Sequence, residues 1–240
     1  MTVNMTLQFE LSALEDDSRR LRSATMAGRV FEAVRQAIVQ LRFRPGNPLS
    51  EAEIARQLGV SRQPVREAFI KLAEVGLVEI RPQRGTFVRM ISRREVENAR
   101  FVREAIEVAI VRKAALEASP DDVAAMQGLV EDQRAVAGGE DNAAFLRLDE
   151  AFHQAIARSA DCEDAWRVIE GLKTQMDRVR YLSLPQATPL TIIIDQHGRI
   201  VDAIRQRSPE QAQTAMQEHL SEILISLPRL ALEQPAYFAE

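Results

Sequence analysis

Cysteine is nearly absent. The 240-residue chain has one, Cys162, so no disulfide can form within it, and its neighbours suggest no redox motif or thiolate metal site. Aromatic residues are scarce at 5%, and the apolar mass is mostly Ala, Leu, Ile and Val, a balance that favours close-packed helices. No apolar run approaches the roughly 18 residues of a membrane span. Residues 1–10 lack the basic start and apolar core of a secretory signal. Together these absences predict a cytoplasmic protein with no membrane partner. Histidine is rare too, with three residues at 153, 197 and 219. Internal repeats and low-complexity segments are missing.

The net charge of -4 does not suggest a nucleic-acid partner, but the average hides an asymmetry. Residues 29–90 carry 11 Lys and Arg against 6 Asp and Glu, a net of +5, whereas residues 91–240 carry 17 against 25, a net of -8. A small basic module ahead of a larger acidic one fits DNA binding by the first alone. The length allows two domains.

Punctuation divides the chain further. Residues 1–25 read as an N-terminal extension with a short amphipathic patch, Leu7, Phe9, Leu11 and Leu14. Residues 26–91 read as a winged helix-turn-helix. A helix over 26–41 places Val30, Val34, Ile38 and Leu41 on one face, and Arg44-Pro45-Gly46 stops it. Ser50 caps a second helix over 51–58, with Glu53 at the capping-box position. Gly59 and Val60 make the turn, Ser61 caps the third helix, and Pro64 sits in its first turn. Two short strands are expected over 77–80 and 86–90 around the loop Arg81-Pro82-Gln83-Arg84-Gly85.

From Ser92 on every segment has helical period, giving an all-α second domain over 92–232 and a C-terminal tail over 233–240. The expected helices cover 93–118, 121–137, 142–159, 163–182, 189–207 and 210–227. Ser119-Pro120, Thr188-Pro189 and Ser208-Pro209 each read as an N-cap followed by proline at the first helical position. The fold class is therefore mainly α: a winged helix-turn-helix followed by a six- or seven-helix bundle.

In the first domain the start of the third helix should enter the major groove. Its exposed positions are Ser61, Arg62, Gln63 and Arg66. Arginine can grip a guanine edge with two hydrogen bonds, and glutamine can do the same for adenine. Ser61 and the free amides beside it suit a phosphate. Arg84 and Gly85 mark the wing tip, while Lys71 and Arg81 read as phosphate contacts or solvated charges. Any one of these arginines alone is more often plain surface charge; the combination with turn and wing is what points to DNA.

These stretches resemble the GntR family of bacterial regulators. They are Leu49-Ser50-Glu51, Ile54-Ala55, Leu58-Gly59-Val60-Ser61-Arg62, Pro64-Val65-Arg66-Glu67-Ala68, Leu72, Gly76-Leu77-Val78 and Gly85-Thr86-Phe87-Val88. The resemblance implies that Arg62 and Arg66 read bases and that Gly85 is the wing-tip glycine. Where some members carry an operator-touching arginine between two glutamates, this chain has Ala52, which implies a different operator. A single recognition helix reads few base pairs, so a homodimer on palindromic DNA is expected.

The three histidines lie in helical stripes of the second domain. Asp149 and His153 are four apart beside Leu146 and Ile156, His197 lies between Ile193 and Val201, and His219 lies between Met216 and Ile223. A lone inward histidine is usually a hydrogen-bonded core residue. Three with an inward aspartate are harder to dismiss, because a buried carboxylate is costly unless paired or bound to metal. Imidazoles and a carboxylate suit a borderline divalent ion.

The second domain resembles the FCD type of effector domain. The resemblance rests on Asp149-Glu150-Ala151-Phe152-His153 and on His197 and His219 in later helices. It implies that Asp149, His153, His197 and His219 hold a divalent metal, zinc first, with nickel or manganese as other candidates. It also implies a small organic-acid or sugar-acid effector, and disfavours fatty acyl-CoA. Arg103 either faces that effector's carboxylate or pairs internally with Glu107. A metal-dependent enzyme is disfavoured because four protein ligands leave less room for an activated water and no separate base stands out. An architectural DNA-binding protein with a structural metal is the other alternative.

Overall fold

The computed structural model describes residues 25–139, 141–184 and 189–239. The expected N-terminal patch and the Thr188 cap lie outside them. The chain divides into two compact units after Met90, so Ile91 belongs to the second.

In the first unit, α1 (Met26–Val39) starts where the Thr25 hydroxyl accepts from the Gly28 amide at 3.2 Å. It buries Val30, Ala33, Val34, Ala37 and Ile38, a helical stripe that packs against α3 (Arg62–Glu74). Between them runs α2 (Glu51–Leu58). Ser50 caps α2 by accepting from the Glu53 amide at 3.3 Å, but the expected reciprocal bond is replaced: the Glu53 carboxylate accepts from Arg56 and Gln57 instead. Gly59 ends α2 at φ 64°, the left-handed conformation glycine adopts without strain.

The sheet has three strands rather than two. β1 (Pro48–Leu49) lies antiparallel to β3 (Gly85–Val88), with Leu49 opposite Thr86, and β2 (Val78–Arg81) flanks β3 on its other side. As an edge strand β1 tolerates Pro48, which has no amide to donate. Val30 and Ile38 meet Val65, Phe69, Leu72, Val78 and Val88 in one core.

The second unit is helical: α4 (Arg93–Glu117), α5 (Pro120–Val136), α6 (Asn142–Arg158), α7 (Glu163–Leu172), α8 (Thr174–Ser183), α9 (Leu190–Arg205) and α10 (Pro209–Glu233). Ser119 and Asp122 form a complete capping box at α5. The helix expected over 163–182 breaks at Lys173 into α7 and α8. Pro189 is itself the N-cap of α9, and Ser208 makes no side-chain cap bond at α10. Phe145, Phe152, Met126, Ile200 and Met216 fill the main core, with α4 lying along α10.

α10 runs past its expected end at 227, through Pro228 to Glu233. The proline removes one helical bond, but Leu227 and Leu230 are buried with Ile91, Val96, Met176 and Phe238 in a separate cluster that holds the helix on. The segment expected as a tail is thereby anchored. Phe238 bridges Ile91, the Ile91 amide donates to Tyr237 O at 2.8 Å, and the Ala239 amide donates to Ile91 O at 2.9 Å.

Candidate DNA-reading surface and metal centre

In the first unit, burial of Val65, Ala68, Phe69 and Leu72 turns Arg62, Gln63, Arg66 and Lys71 of α3 to solvent. Ser61 is the N-cap, yet its hydroxyl makes no cap bond, so it and the first-turn amides remain open to a phosphate oxygen. Arg66 donates through Nε and Nη2 to the two carboxylate oxygens of Glu51, each at 3.2 Å. Gln63 Nε2 donates to Glu67 at 2.9 Å. Arg84 and Gly85 are exposed at the tip between β2 and β3. Gly85 has φ 101°, and its open surroundings show that backbone conformation, not space, calls for glycine. Arg81 pairs within the hairpin, 2.8 Å from Glu79 and 4.8 Å from the Phe87 ring centroid.

In the second unit, Asp149 and His153 on α6, His197 on α9 and His219 on α10 are all buried, with one donor atom from each within 4.8 Å of the others. His219 Nε2 is 3.1 Å from His153 Nε2 and 3.3 Å from His197 Nε2. Asp149 Oδ1 is 3.7 Å from His197 Nε2. The Phe152 ring stacks on His197 at 4.2 Å.

Two glutamines, which sequence reasoning missed, fix the ring protons. Gln133 Nε2 donates to Leu148 O at 3.3 Å, leaving Oε1 facing His197 Nδ1 at 2.7 Å. Gln196 Nε2 donates to Glu222 at 3.3 Å, leaving Oε1 facing His219 Nδ1 at 3.1 Å. An amide oxygen only accepts, so each Nδ1 carries the proton and each Nε2 a lone pair. His153 Nδ1 stands 2.5 Å from Glu107 Oε2, close but off the hydrogen-bond direction, and that carboxylate favours the same tautomer. Three lone pairs therefore converge with Asp149 Oδ1, a buried oxygen with no hydrogen-bond partner.

Such an arrangement repels itself without a cation between the lone pairs. Tetrahedral ligands about 2.0–2.1 Å from a zinc ion stand about 3.3 Å apart, which matches the nitrogen spacing here. The donor set and its hydrogen-bonded outer ring fit a divalent ion.

Burial pushes the His197 pKa down to about 3 and that of His219 well below its usual value, keeping both rings neutral as ligation requires. Burial would raise the Asp149 carboxyl, but Arg180, which donates to its Oδ2, and the three neighbouring histidines together outweigh burial and hold it well below the usual range. Burial would likewise raise Glu107, but Arg103 and His153 together lower it further, to about 2. Arg180 is a second omission of the sequence reading. It also lies 3.6 Å from Asp177, which Lys173 binds at 2.8 Å while reaching Glu150 at 2.6 Å.

A cavity of about 50 Å³ adjoins Asp149 and His219, lined also by Arg103, Arg180, Ser183, Glu222 and Ser226. A single water needs ~10–15 Å³, so the cavity admits a carboxylate-sized group. Arg103 pairs with Glu107 and also lines the cavity.

The pattern of the bacterial regulatory proteins of the gntR family matches residues 26–88, and that of the FCD domain matches residues 98–222. The chain belongs to the GntR family, with an FCD domain. It is 41% identical over 211 residues to the HTH-type transcriptional repressor RspR of Escherichia coli K12, covering 88% of this chain and 92% of that one. Escherichia coli McbR/YncC superposes with a TM-score of 0.75 over 86% of this chain and 99% of that one, at 22% identity, a likeness of fold. A GntR regulator from Rhodococcus sp. RHA1 gives 0.69 at 26% identity, over 85% and 99%. The chain is thus a sequence-specific DNA-binding transcriptional regulator, in a family of regulators and not of enzymes. No helix among the described residues is long and apolar enough to cross a membrane.

Proposed function

We propose that this regulator is a repressor, binding a palindromic operator as a homodimer and releasing it when a small carboxylate or sugar acid binds beside a divalent metal. Residues 26–91 read the DNA and residues 92–232 sense the effector. Arg62, Gln63 and Arg66 contact bases, while Ser61, Lys71, Arg84 and Gly85 contact backbone or the wing-side groove. Repression is supported by the relative RspR, which is named a repressor.

Asp149, His153, His197 and His219 would hold the metal, with zinc first and nickel or manganese as alternatives. A six-coordinate ion held by these four residues would leave positions for an effector carboxylate. Arg180 orients Asp149 through Oδ2, and Gln133 and Gln196 keep two imidazoles turned inward. Arg103 and Arg180 supply positive charge at the wall where a carboxylate would sit.

The observation that carries the sensing half is three imidazole lone pairs and one unpartnered carboxylate oxygen beside an arginine-lined cavity. The test is operator binding by the purified protein, with and without chelation, against a panel of small carboxylates and sugar acids. Operator release by one class, only in the metal-loaded protein and lost in Arg103→Ala, is expected. Identical operator affinity under every condition would leave a DNA-binding protein with a structural polar core.

A further inference from the structure

We propose that Glu51 is a positioning residue for DNA reading, holding the Arg66 guanidinium so that its free edge meets a base. The inference rests on Arg66 being a base reader. Glu51 opens α2, Arg66 sits in the second turn of α3, and the Gly59-Val60 turn brings them together across 15 residues. The carboxylate accepts from Nε and Nη2, taking one side of the guanidinium. Two N–H groups on Nη1 and one on Nη2 stay free, and one from each nitrogen forms the edge that can donate to guanine O6 and N7.

Two physical effects raise discrimination. First, a side chain with several rotatable bonds is restrained before DNA arrives, so less freedom is lost on forming the base contact. Second, the negative charge of Glu51 offsets that of Arg66 toward phosphates, which dominate binding to random DNA. Arg62 has no such support: no hydrogen bond or ion pair engages its side chain among the described residues. Glu53 supplies an internal control. It sits on the same helix but pairs with Arg56 and Gln57, away from α3.

The experiment measures the affinity of the full chain for its footprinted operator and for random duplex of equal length, across salt. E51Q should tighten random DNA, steepen its salt slope by about 0.9 as Arg66 gains a phosphate, and lower the operator-to-random ratio roughly tenfold. E51D keeps the charge but shortens the reach, so it should lower the ratio without tightening random DNA. E53Q should leave the ratio unchanged. In an R66A background E51Q should alter the ratio no further, because its effect passes through Arg66. Melting curves for each variant establish folding, and E51D stands in if E51Q melts early. An unchanged ratio in both Glu51 variants, or an equal loss in the R66A background, overturns the role of Glu51 while Arg66 remains a reader. R66A without loss of discrimination overturns the reader assignment and the proposal with it.

Discussion

Ion pairs of the winged unit sit at its surface: Arg56 with Glu53, Arg66 with Glu51 and Arg81 with Glu79 are all open to water. In the helical unit, Arg103 with Glu107, Arg180 with Asp149 and Lys173 with Asp177 are buried or nearly so. Exposed pairs are weak and easily exchanged, so a pair such as Arg81 with Glu79 can give way to a polyanion, while Arg66 can meet a base through the edge that Glu51 leaves free. Buried pairs cannot be solvated and must stay matched, so the second unit holds its polar atoms in one geometry. Exchange suits DNA reading, and fixity suits a ligand site.

The comparison is broken most directly at its buried end. Arg180→Met should destabilise the protein by about 3–5 kcal/mol, because Asp149 is left charged and unpaired. Glu53→Gln should leave the unfolding midpoint where it is. Urea unfolding of metal-free protein measures both, and a loss below ~1 kcal/mol for the arginine variant would erase the contrast.

Metal should sharpen it. Zinc at 100 times its Kd should stabilise the chain by about 2.7 kcal/mol, and His219→Ala should abolish the gain. Elemental analysis before and after chelation, with melting followed in parallel, checks this. Stoichiometric metal bound equally by the alanine variant would place the ion elsewhere.

At the exposed end the effect is smaller and falls on DNA. Arg62→Ala and Arg66→Ala should each lose about 1–3 kcal/mol on the operator and less on random duplex. Lys71→Ala should weaken both alike. Equal losses for all three would remove the distinction between reading and docking.

The smallest effect is in pH. The folded protein keeps His197 neutral to about 3, against 6.5 for the free side chain. Between those values the unfolded chain binds more protons, so stability rises with pH there and is lost as pH falls below 6.5. Metal-free protein should therefore lose about 1 kcal/mol from this group between pH 6.5 and 5.5. His197→Gln should flatten that slope.

Helical segments were legible where punctuation was strong. Ser92, Ser119 and the proline that follows Ser208 mark real helix starts. The four acidic and imidazole donors were legible because each sits in an apolar stripe, and the structure brings them together. What escaped had little or no local signal. β1 is two residues long and carries a proline, so it has no period to read. The break at Lys173 had only a weak signal, Gly171 in the last turn of α7; there the lysine turns inward to Glu150 and Asp177. Arg180 reads as surface charge until Asp149, 31 residues earlier in the chain, is folded against it. Gln133 did leave a trace, a polar residue in line with Met126 and Val130.

The bond between Ile91 and the segment at Phe238 has a topological consequence. The second unit begins and finishes at one place, which makes its connectivity nearly a ring. A short linker could join those ends and new ones could be opened in the turn between α9 and α10. Such a circular permutant would keep every helix in place while moving its point of attachment to any fused partner.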